Sequence, residues 1–385
     1  MITIQDKSKC SGCHACSSVC PKDCIKMVSD QEGFLYPLVD AENCVGCSLC
    51  EKVCPILVPS SLADKVEPVT CAVKNKDNNI REKSSSGGVF TAIAEYILEQ
   101  GGIVFGAAFN EDFNVLHVKV DKKEDLEKLR GSKYVQSKIG YAFCETEEAL
   151  NSGKSVLFTG TPCQIGGLKS FLKRDYEKLY TQDLICHGVP SPSVWRKYLE
   201  YLQEKYRSKV IRVTFRNKVK SWKKYSISIS FENGQELTEP FTENVYMKAF
   251  LRNLCLRPSC YDCKFKGVKR DSDITLADFW GVENILPQMD DDKGTSLVMI
   301  HSDKGKKLFQ AISSKMQSCE VDAKMAIYEN GSAMFSSTLP KTRGKFFARL
   351  GKVQFDKLVE KCSRKRLIIR IKNKIKKIIK KLLKG

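Results

Sequence analysis

The stretch CSGCHACSSVCP places Cys10, Cys13, Cys16 and Cys20 before Pro21, and the same spacing returns as Cys44, Cys47, Cys50 and Cys54 before Pro55. In such a C-x2-C-x2-C-x3-C-P run, three thiolates wrap one [4Fe-4S] cube while the fourth crosses to a neighbouring cube. The repeat therefore assigns Cys10, Cys13, Cys16 and Cys54 to one cluster, and Cys44, Cys47, Cys50 and Cys20 to a second. Thiolates stabilise iron in a delocalised cluster, and the short spacers let successive sulfurs reach neighbouring irons without long ordered loops. Two zinc knuckles are the competing reading, but a duplicated, proline-terminated single run is poorly suited to separate tetrahedral sites. The chemistry expected is one-electron transfer. Cys24 follows once all eight ligand places are filled and reads as packing beside a cluster; His14, between ligands, reads as an outer-sphere or exposed residue.

A further set of thiols is spread along the chain. Cys163 and Cys186 each come directly after an apolar strand candidate and before a helix candidate. In open α/β sheets those carboxyl ends line the ligand crevice. Cys260 and Cys263 add a C-x2-C pair on a loop introduced by Pro258, so a third four-thiolate site is one reading and scattered core cysteines the other. Cys255 competes for a place in that set, while Cys71, Cys144, Cys319 and Cys362 stand alone and read as structural.

The elements that must position these residues follow from periodicity. TCAVKN, IVFGAAF and VLHVKV read as strands, and VFTAIAEYILEQ has helical spacing closed by a Gly-Gly pair. Two strand-turn-helix units follow, SVLFTGTPCQIGGLKSFLK and LYTQDLICHGVPSPSVWRKYLEYL. VIRVTFR and YSISISFENGQELTE suggest strands, the latter with an Asn-Gly hairpin turn. DITLADFWG and TSLVMIHS come next, leading into the helix candidate DKGKKLFQAISSK. The fold class expected is α+β: a two-cluster ferredoxin-like module, a mixed α/β domain, and a basic amphipathic C-terminal helix. The boundaries expected are 1–57 for the ferredoxin module, 58–68 for a linker, 69–362 for the catalytic region and 363–385 for the tail.

The segments SSSGGVFTAIAEYIL, LRGSKYVQS, FTGTPCQIGGLKSFL, DLICHGVPSPSVW, LRPSCYDCKFK, SDITLADFWG and DDKGTSLV carry a resemblance. Together they look like the beta-subunit family of coenzyme F420 hydrogenases and dehydrogenases, and the likeness runs from Lys9 to about His301. The resemblance implies an iron-sulfur flavoprotein oxidoreductase, with FAD in the catalytic domain and a further [4Fe-4S] cluster beside it. Carried onto this chain, that cluster falls to Cys163, Cys186, Cys260 and Cys263. The family resemblance includes stand-alone bacterial members associated with surface-polysaccharide synthesis, and no residue pattern here marks a deazaflavin pocket for F420 itself.

No G-x-G-x-x-G follows a strand, so a flavin would need another cradle. Ser85, Ser86, Gly87 and Gly88 precede a helix and could offer hydroxyls and backbone N–H groups to a pyrophosphate. A plain N-cap accounts for one serine. Gly160, Thr161 and Gln164 surround Cys163, either touching flavin or shaping the turn. His187 is the candidate catalytic residue, donating to reduced flavin or a substrate anion; the alternative is a histidine that packs the turn.

The net charge of +19 is concentrated: the last 23 residues hold eleven of the 64 Lys and Arg and no acidic residue, which argues against nucleic acid as a partner. There Ile368, Ile371, Ile375, Ile378 and Leu382 share one helix face, a pattern for lying on an anionic membrane surface. The opening residues lack an export signal, so the location expected is cytoplasmic, peripheral on the inner face of the membrane. The partners expected are a redox protein and a small-molecule or glycan-linked substrate. Two other readings are an electron-transfer subunit without a substrate pocket and a zinc-stabilised binding module.

Overall fold

The computed structural model describes residues 1–60 and 67–363. Its first unit is built on the hairpin of β1 (Ile25–Ser29) and β2 (Leu35–Val39), antiparallel with Ile25 opposite Val39. The two cysteine runs flank this hairpin with matching backbones. Gly12 and His14 on either side of Cys13, and Gly46 and Ser48 on either side of Cys47, all have positive φ. Such left-handed residues curl each loop around the space its cysteines face.

The second unit is a mixed sheet of eight strands. They are β3 (Val69–Asn75), β4 (Ile103–Phe109), β5 (Val115–Val120), β6 (Val156–Thr159), β7 (Leu179–Leu184), β11 (Ile274–Asp278), β12 (Ser296–Ile300) and β13 (Met316–Glu320). Across the sheet their order is β13-β3-β12-β11-β7-β6-β4-β5. The central β11, β7, β6 and β4 run parallel, and antiparallel strands flank them on both sides. Both faces are covered, which is why β6 and β12 are nearly continuous apolar runs. The two-residue period sorts the side chains. Ile103, Phe105, Val156 and Phe158 pack on helices Ala142–Asn151 and Pro162–Leu172, while Val104, Leu157 and Val298 meet helix Val89–Glu99 on the other face.

Between β7 and β11 in the chain, a separate antiparallel sheet of β8 (Val210–Asn217), β9 (Ser226–Phe231) and β10 (Glu236–Pro240) packs under helix Pro192–Tyr206. Trp195, Tyr198 and Tyr246 fill that core together with Phe346, Phe355 and Leu358 from helices Arg343–Arg349 and Phe355–Ser363. The strand and helix candidates of the sequence appear here; β13, the last two helices and helices Asn78–Lys83, Ala142–Asn151 and Val245–Leu251 are among the additional elements.

The ferredoxin-like unit is locked against the rest. Arg343 donates both guanidinium nitrogens to the Glu32 carboxylate at 2.7 and 2.6 Å, and Ser191 Oγ donates to the Glu32 carbonyl. Gly33 fits only without a side chain, since a Cβ would fall 2.1 Å from Ser193 Oγ. The expected tail helix lies beyond Ser363, outside the described residues, as do residues 61–66 of the expected linker. Among the described residues no helix is long and apolar enough to cross a membrane.

Candidate iron-sulfur centres

Cys10, Cys13, Cys16 and Cys54 line one hollow with about 350 Å³ of empty space, and Cys20, Cys44, Cys47 and Cys50 line another with about 360 Å³. Each hollow thus draws its fourth cysteine from the opposite run. Ile2, Ile25 and Val39, with Cys16 and Cys50, form the apolar packing between them. Among the described residues no three His, Cys, Asp or Glu side chains gather closely enough for a single metal ion, whereas the thiolates of a cube each reach a different iron.

Cys24 is buried with its Sγ 3.3 Å from that of Cys20, and it lines the second hollow as a fifth cysteine. His14 is buried rather than exposed; burial, with the nearby charge of Arg257, pushes it down to about 3, so the ring is neutral.

Cys163, Cys186, Cys260 and Cys263 line a third hollow, open at its mouth, with about 650 Å³ of empty space that includes some bulk solvent. Each side chain arrives from a definable local cause. Pro162 starts the helix that carries Cys163, and a capping box closes its first turn: Gln164 Oε1 accepts from the Thr161 N–H at 2.9 Å. Cys186 follows β7. The loop of Cys260 and Cys263 begins at Pro258, and Cys255, fully buried in the neighbouring core, is not among the lining residues. Burial pushes Cys186 up to about 11, Cys260 up to about 12, and Cys163 well above the usual thiol range. Thiols in that state stay protonated unless a metal takes the place of the protons, the condition under which thiolate ligation occurs.

The environment of these sulfurs is polar at selected points. Thr161 Oγ1 lies 3.2 Å from Cys163 Sγ, and the Val189 N–H points at Cys260 Sγ over 3.4 Å. Lys266 Nζ donates to the carbonyls of Cys186 and Ser332 at 2.5 and 2.7 Å. Residues Ser332, Ser336 and Ser337 strap the site, the last two through bonds to the Cys263 N–H and the His187 carbonyl.

The remaining candidates are placed differently from one another. His187 lines the third hollow, but its Nε2–H donates to Asn253 Oδ1 at 2.7 Å and Nδ1 faces Ser332 Oγ at 3.4 Å. Burial lowers its pKa, so it is a neutral ring held by its neighbours. Thr161 and Gln164 shape the turn, with Gln164 Nε2 reaching Ser137 Oγ at 2.9 Å. A Cβ on Gly160 would crowd Gln164, with 3.1 Å to Oε1.

The serine loop faces inward. Ser85 Oγ pairs with Ser132 Oγ, Ser86 Oγ donates to the Thr295 carbonyl, and the Gly87 N–H donates to Ser296 Oγ, all at 2.9 Å. Gly88, at φ +82°, starts helix Val89–Glu99 with no side-chain cap. These hydroxyls are engaged within the chain.

Two buried residues near the sites carry no local sequence signal. His117 accepts burial in a neutral state, pushed down to about 4, with Nε2 on the Thr159 carbonyl at 2.9 Å and Nδ1 without a partner. Arg257 reaches from the third site's loop to Cys10.

Fold and cysteines together define an iron-sulfur protein in which a dicluster unit is built onto an α/β domain with its own cysteine set. Residues 9–58 match the 4Fe-4S dicluster domain. Two further matches are to the "Coenzyme F420 hydrogenase/dehydrogenase, beta subunit" family, its N-terminal domain over residues 70–142 and its C-terminal domain over residues 153–324. The chain belongs to that beta-subunit family. A similar solved structure is the xenon-derivatised F420-reducing [NiFe] hydrogenase complex from Methanosarcina barkeri, with 22% identity, coverage of 78% of this chain and 93% of that one, and a TM-score of 0.46. No curated protein matches the chain.

Proposed function

We propose that this chain relays single electrons through three four-cysteine sites in series. The order runs from the site of Cys20, Cys44, Cys47 and Cys50, through that of Cys10, Cys13, Cys16 and Cys54, to that of Cys163, Cys186, Cys260 and Cys263. One observation carries it. The first and third hollows share Lys9, Ser11 and Ile56 as lining residues, whereas the second hollow shares none with the third. Gly167, on the helix that bears Cys163, lies directly against Cys13. The chain's own part is to hold the thiolates, exclude water and aim Thr161 and the Val189 N–H at sulfur, where such bonds tune reduction potential. His187 positions the Ser332–Ser337 strap and moves no proton in this reading.

FAD is the cofactor the family leads us to expect, and when bound it would join paired-electron to single-electron chemistry. The engaged hydroxyls of Ser85 and Ser86, and the closed capping box of Thr161 and Gln164, favour a subunit that delivers electrons to a partner oxidoreductase. The catalytic alternative is a flavin enzyme acting on a small or glycan-linked substrate, in surface-polysaccharide synthesis, at an anionic membrane surface in the cytoplasm. Coenzyme F420 belongs to that alternative.

The test is iron, acid-labile sulfide and released flavin per chain in anaerobically purified protein. About twelve iron per chain supports three cubes, and about eight removes the third. About one FAD per chain, with turnover of a substrate by the isolated chain, would replace the relay-subunit reading with the enzyme. No flavin with full clusters would retain it.

A further inference from the structure

Among the described residues five arginines are buried, and four have a carboxylate: Arg81 with Asp291, Arg216 with Asp278, Arg270 with Asp183 and Arg343 with Glu32. Arg257 is the exception, at 0% exposure. Its acceptors are the Cys10 carbonyl at 2.7 Å, the Leu35 carbonyl at 2.9 Å, Gln136 Oε1 at 3.1 Å and Cys10 Sγ at 3.5 Å. None is a carboxylate. The guanidinium also lies over Tyr36 and Phe34, 4.3 and 5.5 Å from the ring centroids. Ring faces offset only part of the cost of burying a cation that never deprotonates in proteins. A counter-charge is needed, and the ionisable group in hydrogen-bond contact is the Cys10 thiolate with the metal it would hold, Cys260 being a second thiol near enough to feel the same charge.

The placement is tightly built. Gly12, in the Cys10–Cys13 loop, has φ +70°, and a Cβ there would lie 2.7 Å from Arg257 Nη1. The Arg257 N–H donates to the Val189 carbonyl, and Cys260 N–H donates back to the Arg257 carbonyl at 2.9 Å. One residue thus ties the third cysteine set to the first. Neither hollow has a buried cation in its lining; the difference is the bond from Arg257 behind the first hollow to Cys10 Sγ, whereas at the second Lys22 is exposed to screening solvent and the Met1 amine is 3.3 Å from Glu51.

We infer that Arg257 is a positioning residue for electron transfer: it supplies the counter-charge of the first cluster and raises its reduction potential above that of the second. Electrons then collect in the site next to Cys163, Cys186, Cys260 and Cys263. A one-electron donor, the second cube or dithionite in the titration below, would supply one electron to a cube held by Cys10, Cys13, Cys16 and Cys54, with no bond broken. The complex becomes one unit more negative, and a fixed cation hydrogen-bonded at a ligand sulfur favours that state. The inference rests on the reading that Cys10, Cys13, Cys16 and Cys54 hold a cube.

The experiment is a redox titration of the full chain with dithionite and mediator dyes, followed by EPR, in wild type, Arg257→Met and Arg257→Lys. In Arg257→Met, the signal of the first cluster should move to lower potential by at least tenfold in its one-electron equilibrium, about 59 mV, with that of the second cluster unmoved. Arg257→Lys, which keeps the charge and loses the fork, should shift the same signal by less. Unmoved signals with full iron, or a common shift of all of them, would overturn the inference while leaving the cubes intact. Wild-type protein with zinc in place of iron and sulfide would sink the underlying reading instead. Should Arg257→Met fail to accumulate, an unchanged or raised potential in Arg257→Gln, which also removes the charge, would be equally decisive against it. A second readout needs no electron transfer. Stripping iron leaves Arg257 uncompensated, so the loss in Tm should be larger in wild type than in Arg257→Met or, should that variant not fold, Arg257→Gln. Equal losses would count against the counter-charge role.

Discussion

Gly167 sits inside helix Pro162–Leu172, where alanine would be the better helix former by about 1 kcal/mol. A Cβ at that position, however, would lie 2.7 Å from Cys13 Cβ and 2.9 Å from its Sγ. Cys13 is held by its own loop, so the overpacking outweighs the propensity gain. Gly167→Ala should therefore destabilise the protein by about 1–3 kcal/mol and lower iron per chain, read by chemical denaturation and metal analysis. Full iron with an unchanged or raised stability would show that the contact is soft. At this scale the eight N-terminal cysteines were legible because their ligand spacing is written in adjacent residues. Arg257 was not, because lacking a carboxylate is a property of its surroundings, contributed by Leu35, Gln136 and the aromatic rings of the hairpin.

Helix Asn78–Lys83 leads into the serine loop, and it is pinned to the loop before β12 by the fork from Arg81 to Asp291, at 2.8 and 2.5 Å. Burial raises the Asp291 carboxyl, but hydrogen bonds from Arg81 and the Lys293 N–H, with the charges of Arg81 and Lys74, outweigh it and hold the group well below the usual carboxylate range. A depressed folded-state pKa gives stability that is present above the unfolded value and lost as pH falls through the folded one. Asp291→Asn should thus be less stable than wild type at neutral pH, with the gap narrowing below about pH 4 in denaturant titrations. A pH-independent gap would assign the loss to packing. Strand and helix candidates of the central sheet were readable from period and turn residues. Strand β13 was not: it alternates weakly, with Met316 its one buried residue, and pairing with β3 is what makes it a strand.

Across the whole molecule, the ferredoxin-like unit is seated by the Glu32–Arg343 pair, Gly33 and the Cys13–Gly167 contact, so the distances between cysteine sets are set by packing. The basic tail carries the membrane proposal. Full-length protein should co-sediment with anionic liposomes and a chain ending at residue 362 should not, with attraction weakening as salt rises. Equal binding by both would remove the proposal.

By itself the sequence carried the expectation of two iron-sulfur clusters, the sharing of cysteines between the two runs and most of the central strands, since each depends on spacing within a few residues. Tertiary structure decided which distant cysteines meet, with Cys255 left in the core. It also turned the serine hydroxyls inward and left one buried arginine beside Cys10 without a carboxylate. Those outcomes depend on which groups from remote segments compete for the same hydrogen bonds and the same space, and periodicity carries no information about that competition.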